Sequence, residues 1–87
     1  MFKKNTAVTG FPFTLVDSSD GSAVTTGTPS GYYLLDGGSQ GSITATPTHE
    51  GNGQWSVNLT AGEMNGDVVG LLFTHVDAIP VHFTIKT

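Results

Sequence analysis

Between Gln54 and Thr60 apolar and polar residues alternate without a break. Trp55, Val57 and Leu59 form one row; Gln54, Ser56, Asn58 and Thr60 form the other. A period of two marks a strand with one buried face, and a one-residue slip would turn the tryptophan to solvent. The same period recurs in Phe11, Phe13, Leu15 and in Ile79, Val81, Phe83, Ile85. No segment shows helical periodicity. Turn-forming clusters punctuate the chain: Asp17-Ser18-Ser19-Asp20-Gly21-Ser22, Asp36-Gly37-Gly38 and Glu50-Gly51-Asn52-Gly53. Between them, further strands are predicted over 23–26, 32–35, 42–46 and 68–73. About seven short strands, spaced near ten residues, predict an all-β sandwich or barrel.

Two local features refine this. Val69, Leu71 and Phe73 alternate, but Val68 and Leu72 make that strand apolar on both faces. Such a strand is central in its sheet, or has one face covered by a partner. Thr60-Ala61-Gly62-Glu63 has the form of a capping box, predicting one helical turn near 61–65 at a corner between sheets. The expected core is Phe13, Leu15, Leu34, Ile43, Trp55, Val57, Leu59, Leu71, Phe73, Val81, Phe83 and Ile85. With 87 residues, one domain and one modest core are the limit. A chain of this size buries roughly 60–65% of its unfolded surface.

Charge narrows the function classes. Lys3, Lys4 and Lys86 stand against seven acidic residues, so 11% of the chain is charged. About 25% is usual for soluble domains. Three lysines and a net charge of −4 leave no basic patch for nucleic acid. Polarity comes instead from thirteen Thr, with Ser, Asn and Gly. No cysteine is present to form a disulfide or a thiolate metal site. No run approaches the roughly 18–20 apolar residues of a membrane helix.

A search for chemistry finds no constellation. The seven serines sit in turns or on outward strand positions, and Gly-x-Ser-x-Gly is absent. The acids lie beside turns, where Asp caps backbone donors. Asp17-Ser18-Ser19-Asp20-Gly21 offers oxygen ligands but lacks the alternating acids and terminal Glu of a calcium loop. His49, His75 and His82 lack the helical i, i+4 spacing of a zinc site and read as surface or interface hydrogen-bonders. Tyr32, Tyr33 and Trp55 are candidates for a sugar-stacking platform, set against a reading with Trp55 and one tyrosine in the core. No catalytic, metal or cofactor residues are assigned.

The segment Gly53-Gln54-Trp55-Ser56-Val57-Asn58-Leu59-Thr60-Ala61-Gly62-Glu63-Met64-Asn65-Gly66-Asp67-Val68-Val69-Gly70-Leu71-Leu72-Phe73 resembles small Ig-like modules of tailed-phage virion proteins. Asn5-Thr6-Ala7-Val8-Thr9-Gly10-Phe11 and Thr25-Thr26-Gly27-Thr28-Pro29 are similar to the same group. The likeness covers most of the chain and is strongest over residues 51–85. It implies an Ig-like antiparallel β-sandwich of about seven strands, with no catalytic residues to carry over. It also implies a virion structural role, foremost a capsid cement or decoration protein binding at subunit junctions of the head. The alternatives are a head-fibre, tail or baseplate adaptor, or a host-surface carbohydrate-binding module. A chain beginning at Met is expected to be a free-standing gene product. Residues 1–9 are expected to act as an arm or edge strand, and 10–87 as the sandwich domain. The expected partners are the major capsid protein and further copies of the chain, with neither nucleic acid nor membrane. The candidate contact residues are Phe2, Lys3, Lys4, Thr6, Val8, Tyr32 and Lys86.

Overall fold

The computed structural model describes residues 2–87. The alternating segments form strands and the Gly/Asn/Asp clusters form the turns. The elements run β1 (Val8–Thr14), β2 (Ser30–Leu35), β3 (Gly41–Ser42), β4 (Thr48–Gly51), β5 (Gln54–Leu59), a 3-10 turn (Gly62–Met64), β6 (Val68–Thr74) and β7 (Val81–Lys86). They build two antiparallel sheets, ordered β1-β5-β4 and β3-β2-β6-β7, packed face to face as a β-sandwich. In the lettering of immunoglobulin domains these sheets correspond to B-E-D and C′-C-F-G. The central position of β6 accords with its two-sided apolarity.

The strand count matches expectation, but its members differ. The run over 23–26 forms only one bridge, Val16 to Ala23. The predicted 42–46 strand shrinks to Gly41–Ser42. Thr48–Gly51 forms β4 instead, paired to β5 through the tight turn at Asn52 (φ 54°) and Gly53 (φ 84°). Both turn residues are left-handed, as a two-residue hairpin with matching twist requires. A Cβ on Gly53 would also lie 2.8 Å from the Cβ of Ala23.

The core lies between the sheets. Leu15, Met64, Val69, Leu71 and Phe73 are wholly buried, with Phe11, Phe13, Val24, Ile43, Trp55, Val57, Leu59, Ala78 and Ile85 nearly so. Phe13 stacks on Phe73 across the sandwich, centroids 4.0 Å apart, and Phe11 meets Phe83 edge-on at 5.2 Å. Such pairs add about 0.5–1.5 kcal/mol beyond the area they bury. Trp55 donates its indole N–H to the Val24 carbonyl at 3.0 Å, so its one polar atom is satisfied inside. Val81 and Phe83 are only half-buried against this core. Leu34, expected inside, faces outward, because Gly31, Tyr33 and Leu35 take the inward positions of β2.

The capping box forms. Thr60 N–H donates to Glu63 Oε1 at 2.8 Å, and Glu63 N–H donates to Thr60 Oγ1 at 3.2 Å. The turn carries the chain from the three-stranded sheet into the four-stranded one.

Candidate functional site

The outer faces of the two sheets differ in kind. On the three-stranded sheet the outward residues include Thr48, Glu50, Gln54, Ser56 and Asn58, and several bond to one another or to backbone. Ser56 donates to Glu50 at 2.5 Å, and Gly10 N–H donates to Asn58 Oδ1 at 2.9 Å. That face is polar and satisfied.

The outer face of the four-stranded sheet is built differently. The register opposes Tyr32 to Leu72, Leu34 to Gly70 and His82 to Leu72. Cross-strand neighbours share a face, so Tyr32, Leu34, Gly70, Leu72 and His82 form one patch. Val68 and Thr84 extend it, and Lys86, opposite Val68, is its one charged side chain. Tyr32, Leu34 and Leu72 are half-buried only by their neighbours on this face, and Val68 is 37% exposed. Gly70 forms the floor of a groove of about 120 Å³ walled by Tyr32, Leu34, Leu72, His82 and Gln40. A Cβ there would touch His82 Nε2 at 3.5 Å and Leu34 Cβ at 3.6 Å, so the missing side chain is what keeps the groove open. Apolar groups without charged neighbours gain by leaving water, so this face can bind an apolar surface through area and shape.

The candidate contact residues divide among separate places. Tyr32 belongs to the patch just described. Phe2, 36% exposed, rests on Phe11 with ring centroids 6.0 Å apart. Lys3 is exposed. Lys4 pairs with Asp67 at 3.3 Å, and Thr6 Oγ1 donates to the Lys4 carbonyl at 3.3 Å. Asn5 N–H donates to Met64 O at 2.9 Å, and Val8 opens β1 opposite Leu59. Of the segment expected as an arm or edge strand, Phe2, Lys4 and Asn5 contact the domain and Val8 and Thr9 belong to the edge strand β1; Met1 lies outside the described residues. Lys86 shares the outer face with Tyr32 but lies at the other end of the ladder. Leu34, Val68, Gly70, Leu72 and His82 were not among the predicted contacts. Their signal was the two-sided apolarity of β6, which also implied outward company on β2 and β7.

The remaining polar groups are occupied structurally. His49 Nε2 accepts the Gly53 N–H at 3.1 Å, and its ring meets Trp55 edge-on at 5.1 Å. His75 Nδ1 accepts the Asp77 N–H at 3.0 Å, which leaves Nε2–H to donate to Thr26 O at 2.8 Å. Asp17 and Asp20 each accept backbone and hydroxyl bonds from the serine two residues on. The Ser19 hydroxyl, then its N–H, hold the Asp17 carboxyl below its ordinary value. Among the described residues, no three His, Asp or Glu side chains gather as a metal site. Trp55 and Tyr33 pack in and against the core, which leaves Tyr32, half-buried on the outer face, as the one member of the suggested sugar platform outside it. No helix among the described residues is long and apolar enough to cross a membrane.

No family model, curated protein or solved structure matches this chain.

Proposed function

We propose that this chain is a non-enzymatic structural module of a bacteriophage particle, a cement or decoration protein that docks on the head shell. The observation that carries the docking role is the largely apolar outer face of the four-stranded sheet, charged only at Lys86, with Tyr32, Leu34 and Leu72 around the Gly70 groove. The virion setting rests on the likeness of residues 51–85 to phage Ig-like modules. Low charge supports both, since a surface poor in charge suits a subunit held in a larger assembly. On this reading Tyr32 and Leu72 seat on the shell, while Lys3 and Lys86 meet acidic groups at its rim. Rim charges of this kind set orientation and on-rate more than affinity.

The test is the copy number of the chain against the major capsid protein in purified particles, together with rebinding of Tyr32→Ser and Leu72→Ser variants to stripped heads. Hundreds of copies, and occupancy lost in both variants, are the expected results. A few copies at one vertex would assign the chain to a fibre, tail or baseplate instead. Undiminished occupancy of both variants would remove the outer face from the interface.

A further inference from the structure

Among the described residues the sandwich has four free strand edges, and three are blunted. β3 is two residues long. β4 has four residues and an irregularity between His49 and Gly51. β1 has a register shift between Val8 and Phe11. It also carries Pro12. The Leu15 N–H bonds to the Gly53 carbonyl at 3.0 Å, which makes 15 and 53 a bonded pair. Bonded and non-bonded pairs alternate along an antiparallel ladder, so residues 11 and 13 bond to β5 while 12 and 14 face the free edge. Pro12 therefore removes a donor where an added strand would need one. Short strands, bulges and edge prolines are the usual defences against unwanted pairing.

β7 has none of these within its length. Its six residues pair with β6 in unbroken register, with no proline between Val81 and Lys86. The Thr87 N–H donates to Asp67 O at 3.1 Å, which sets the phase. Val81, Phe83 and Ile85 bond to β6, so the amides and carbonyls of His82, Thr84 and Lys86 point to the free edge. Independently, Asp36 N–H donates to Val68 O at 2.9 Å, placing the even residues of β6 against β2 and leaving its odd ones for β7. Among the described residues, no backbone hydrogen bond from outside the β6 ladder reaches residues 81–86. Beside this edge the sandwich gapes. A cleft of about 390 Å³ lies between β1 and β7, lined by Pro12, Phe13, Thr14, Gln54, Val81 and Phe83. Just before β7, Ile79 N–H donates to Val16 O at 3.1 Å.

We propose that the edge of β7 pairs with β7 of a second copy, antiparallel about a two-fold axis at Thr84, joining two four-stranded sheets into one of eight. The strand is self-complementary in that register. His82 and Lys86 bond to Lys86 and His82 of the other copy, and Thr84 to Thr84, giving six ladder hydrogen bonds from the free groups just named. On the inner side Phe83 faces Ile85 of the second copy, and the added strand covers the cleft. On the outer side each Lys86 lies across from an imidazole, so no two lysines and no two acids oppose each other. A register centred on Phe83 is worse, because it sets Lys86 against Pro80, beside the Ile79–Val16 bond. A self-complementary patch gives a closed two-fold dimer, the commonest symmetry. This inference does not rest on the virion reading.

The experiment is sedimentation of the full chain over a concentration series, with two sets of variants. Thr84→Pro removes an edge donor without touching the β6 ladder, and is expected to weaken the dimer roughly tenfold or more. Retained near-ultraviolet circular dichroism shows that it folds. Thr84→Cys, exposed and in a chain without cysteine, is expected to cross-link to itself under mild oxidation. Opposed residues of a bonded pair lie about 5.5 Å apart at Cα, within disulfide reach. His82→Cys, offset by four residues from its counterpart, is expected not to link. A protein that stays monomeric at millimolar concentration would overturn the proposal. So would a dimer in which Thr84→Cys fails to link, or His82→Cys links as fast.

Discussion

Replacing Glu63 by alanine tests how a short turn fastens the two sheets. The side chain is 3% exposed and has no cationic partner among the described residues. Oε1 accepts the Thr60 N–H at 2.8 Å. Oε2 accepts the Thr44 N–H at 2.9 Å and, more weakly, the Thr44 hydroxyl at 3.4 Å. One carboxylate therefore ties the end of β5 to the segment after β3, which belongs to the other sheet. Hydrogen bonds to a charged acceptor contribute about 1.5–3 kcal/mol each. Thr44 and Thr60 are exposed residues whose amides water can partly rescue, so the lower end applies. Glu63→Ala should then cost about 3 kcal/mol. Glu63→Gln keeps one acceptor and should cost about half that. Thr60→Ala loses only its 3.2 Å bond from the Glu63 N–H, worth about 1 kcal/mol for a cap. Domains of this size hold roughly 4–13 kcal/mol in total, and lose about 4–8 °C of Tm per kcal/mol. Urea and thermal unfolding followed by the fluorescence of Trp55, the sole tryptophan, measures all three. If Glu63→Ala costs no more than Thr60→Ala, the Thr44 link contributes nothing and the residue is merely a cap.

Three further substitutions probe other levels. Gly27→Ala puts a Cβ 2.5 Å from His75 Nε2 at a backbone φ of +86°, so it should break the His75–Thr26 lock and cost about 1–2 kcal/mol in the same unfolding assay. Gly70→Ala meets only ordinary contacts of 3.5 Å and beyond, so stability should hold within about 0.5 kcal/mol while the groove fills and, on the proposed docking, rebinding to heads falls. Asp17 is held below its ordinary value of 3.8, so its ionised form is favoured by folding. Its contribution is complete above that value and lost as pH falls through the lower folded one. Stability of wild type and Asp17→Asn should therefore run parallel from pH 7 to 5 and converge below pH 4. Divergence at neutral pH would point to another group.

What could be read from the sequence, and what could not, follows from phase. β5 alternates so regularly that its inward row was unambiguous, and Trp55, Val57 and Leu59 are buried as expected. The capping box was legible because both of its partners are local. β2 had no readable phase: Tyr32-Tyr33-Leu34-Leu35 is apolar throughout, so either pair could face in. The structure settles it through Gly31, where a Cβ would lie 2.9 Å from Ile43 Cδ1 and 3.1 Å from Phe73 Cε1. A side chain there would press on Ile43 and Phe73, so glycine suits this inward position, and that phase turns Leu34 outward. β4 was hidden for the opposite reason. Its inward side chain, opposite Trp55, is His49, which carries no apolar signal, and its bonds come from pairing with β5. The second oxygen of Glu63 was equally invisible, since Thr44 lies 19 residues away.

The low charge of the chain has two origins, and only one of them argues for a partner. Of the ten charged residues, only Glu50 and Lys86 lie on strands. On β4 and β5 the outward positions other than Glu50 are neutral because Thr, Ser, Gln and Asn fill them, and Ser56 and Asn58 keep hydrogen bonds to Glu50 and to backbone. That neutrality is compatible with permanent exposure. On β2 and β6 the outward positions are neutral because Tyr, Leu and Val fill them, and nothing there compensates contact with water. A chain selected only for solubility has a simple remedy, a lysine or glutamate at 34 or 72, and neither position has it. Tyr32, Leu34 and Leu72 lie opposite or adjacent across two strands rather than scattered. The edge of β7 repeats this logic in the backbone, where the defence found on the other three edges is absent from one. The apolar face and the undefended edge belong to the same sheet, and His82 and Thr84 stand at their junction. A partner seated on one feature must take account of the other, so the Thr84 and Leu72 variants measured together would show whether the two surfaces act separately or as one.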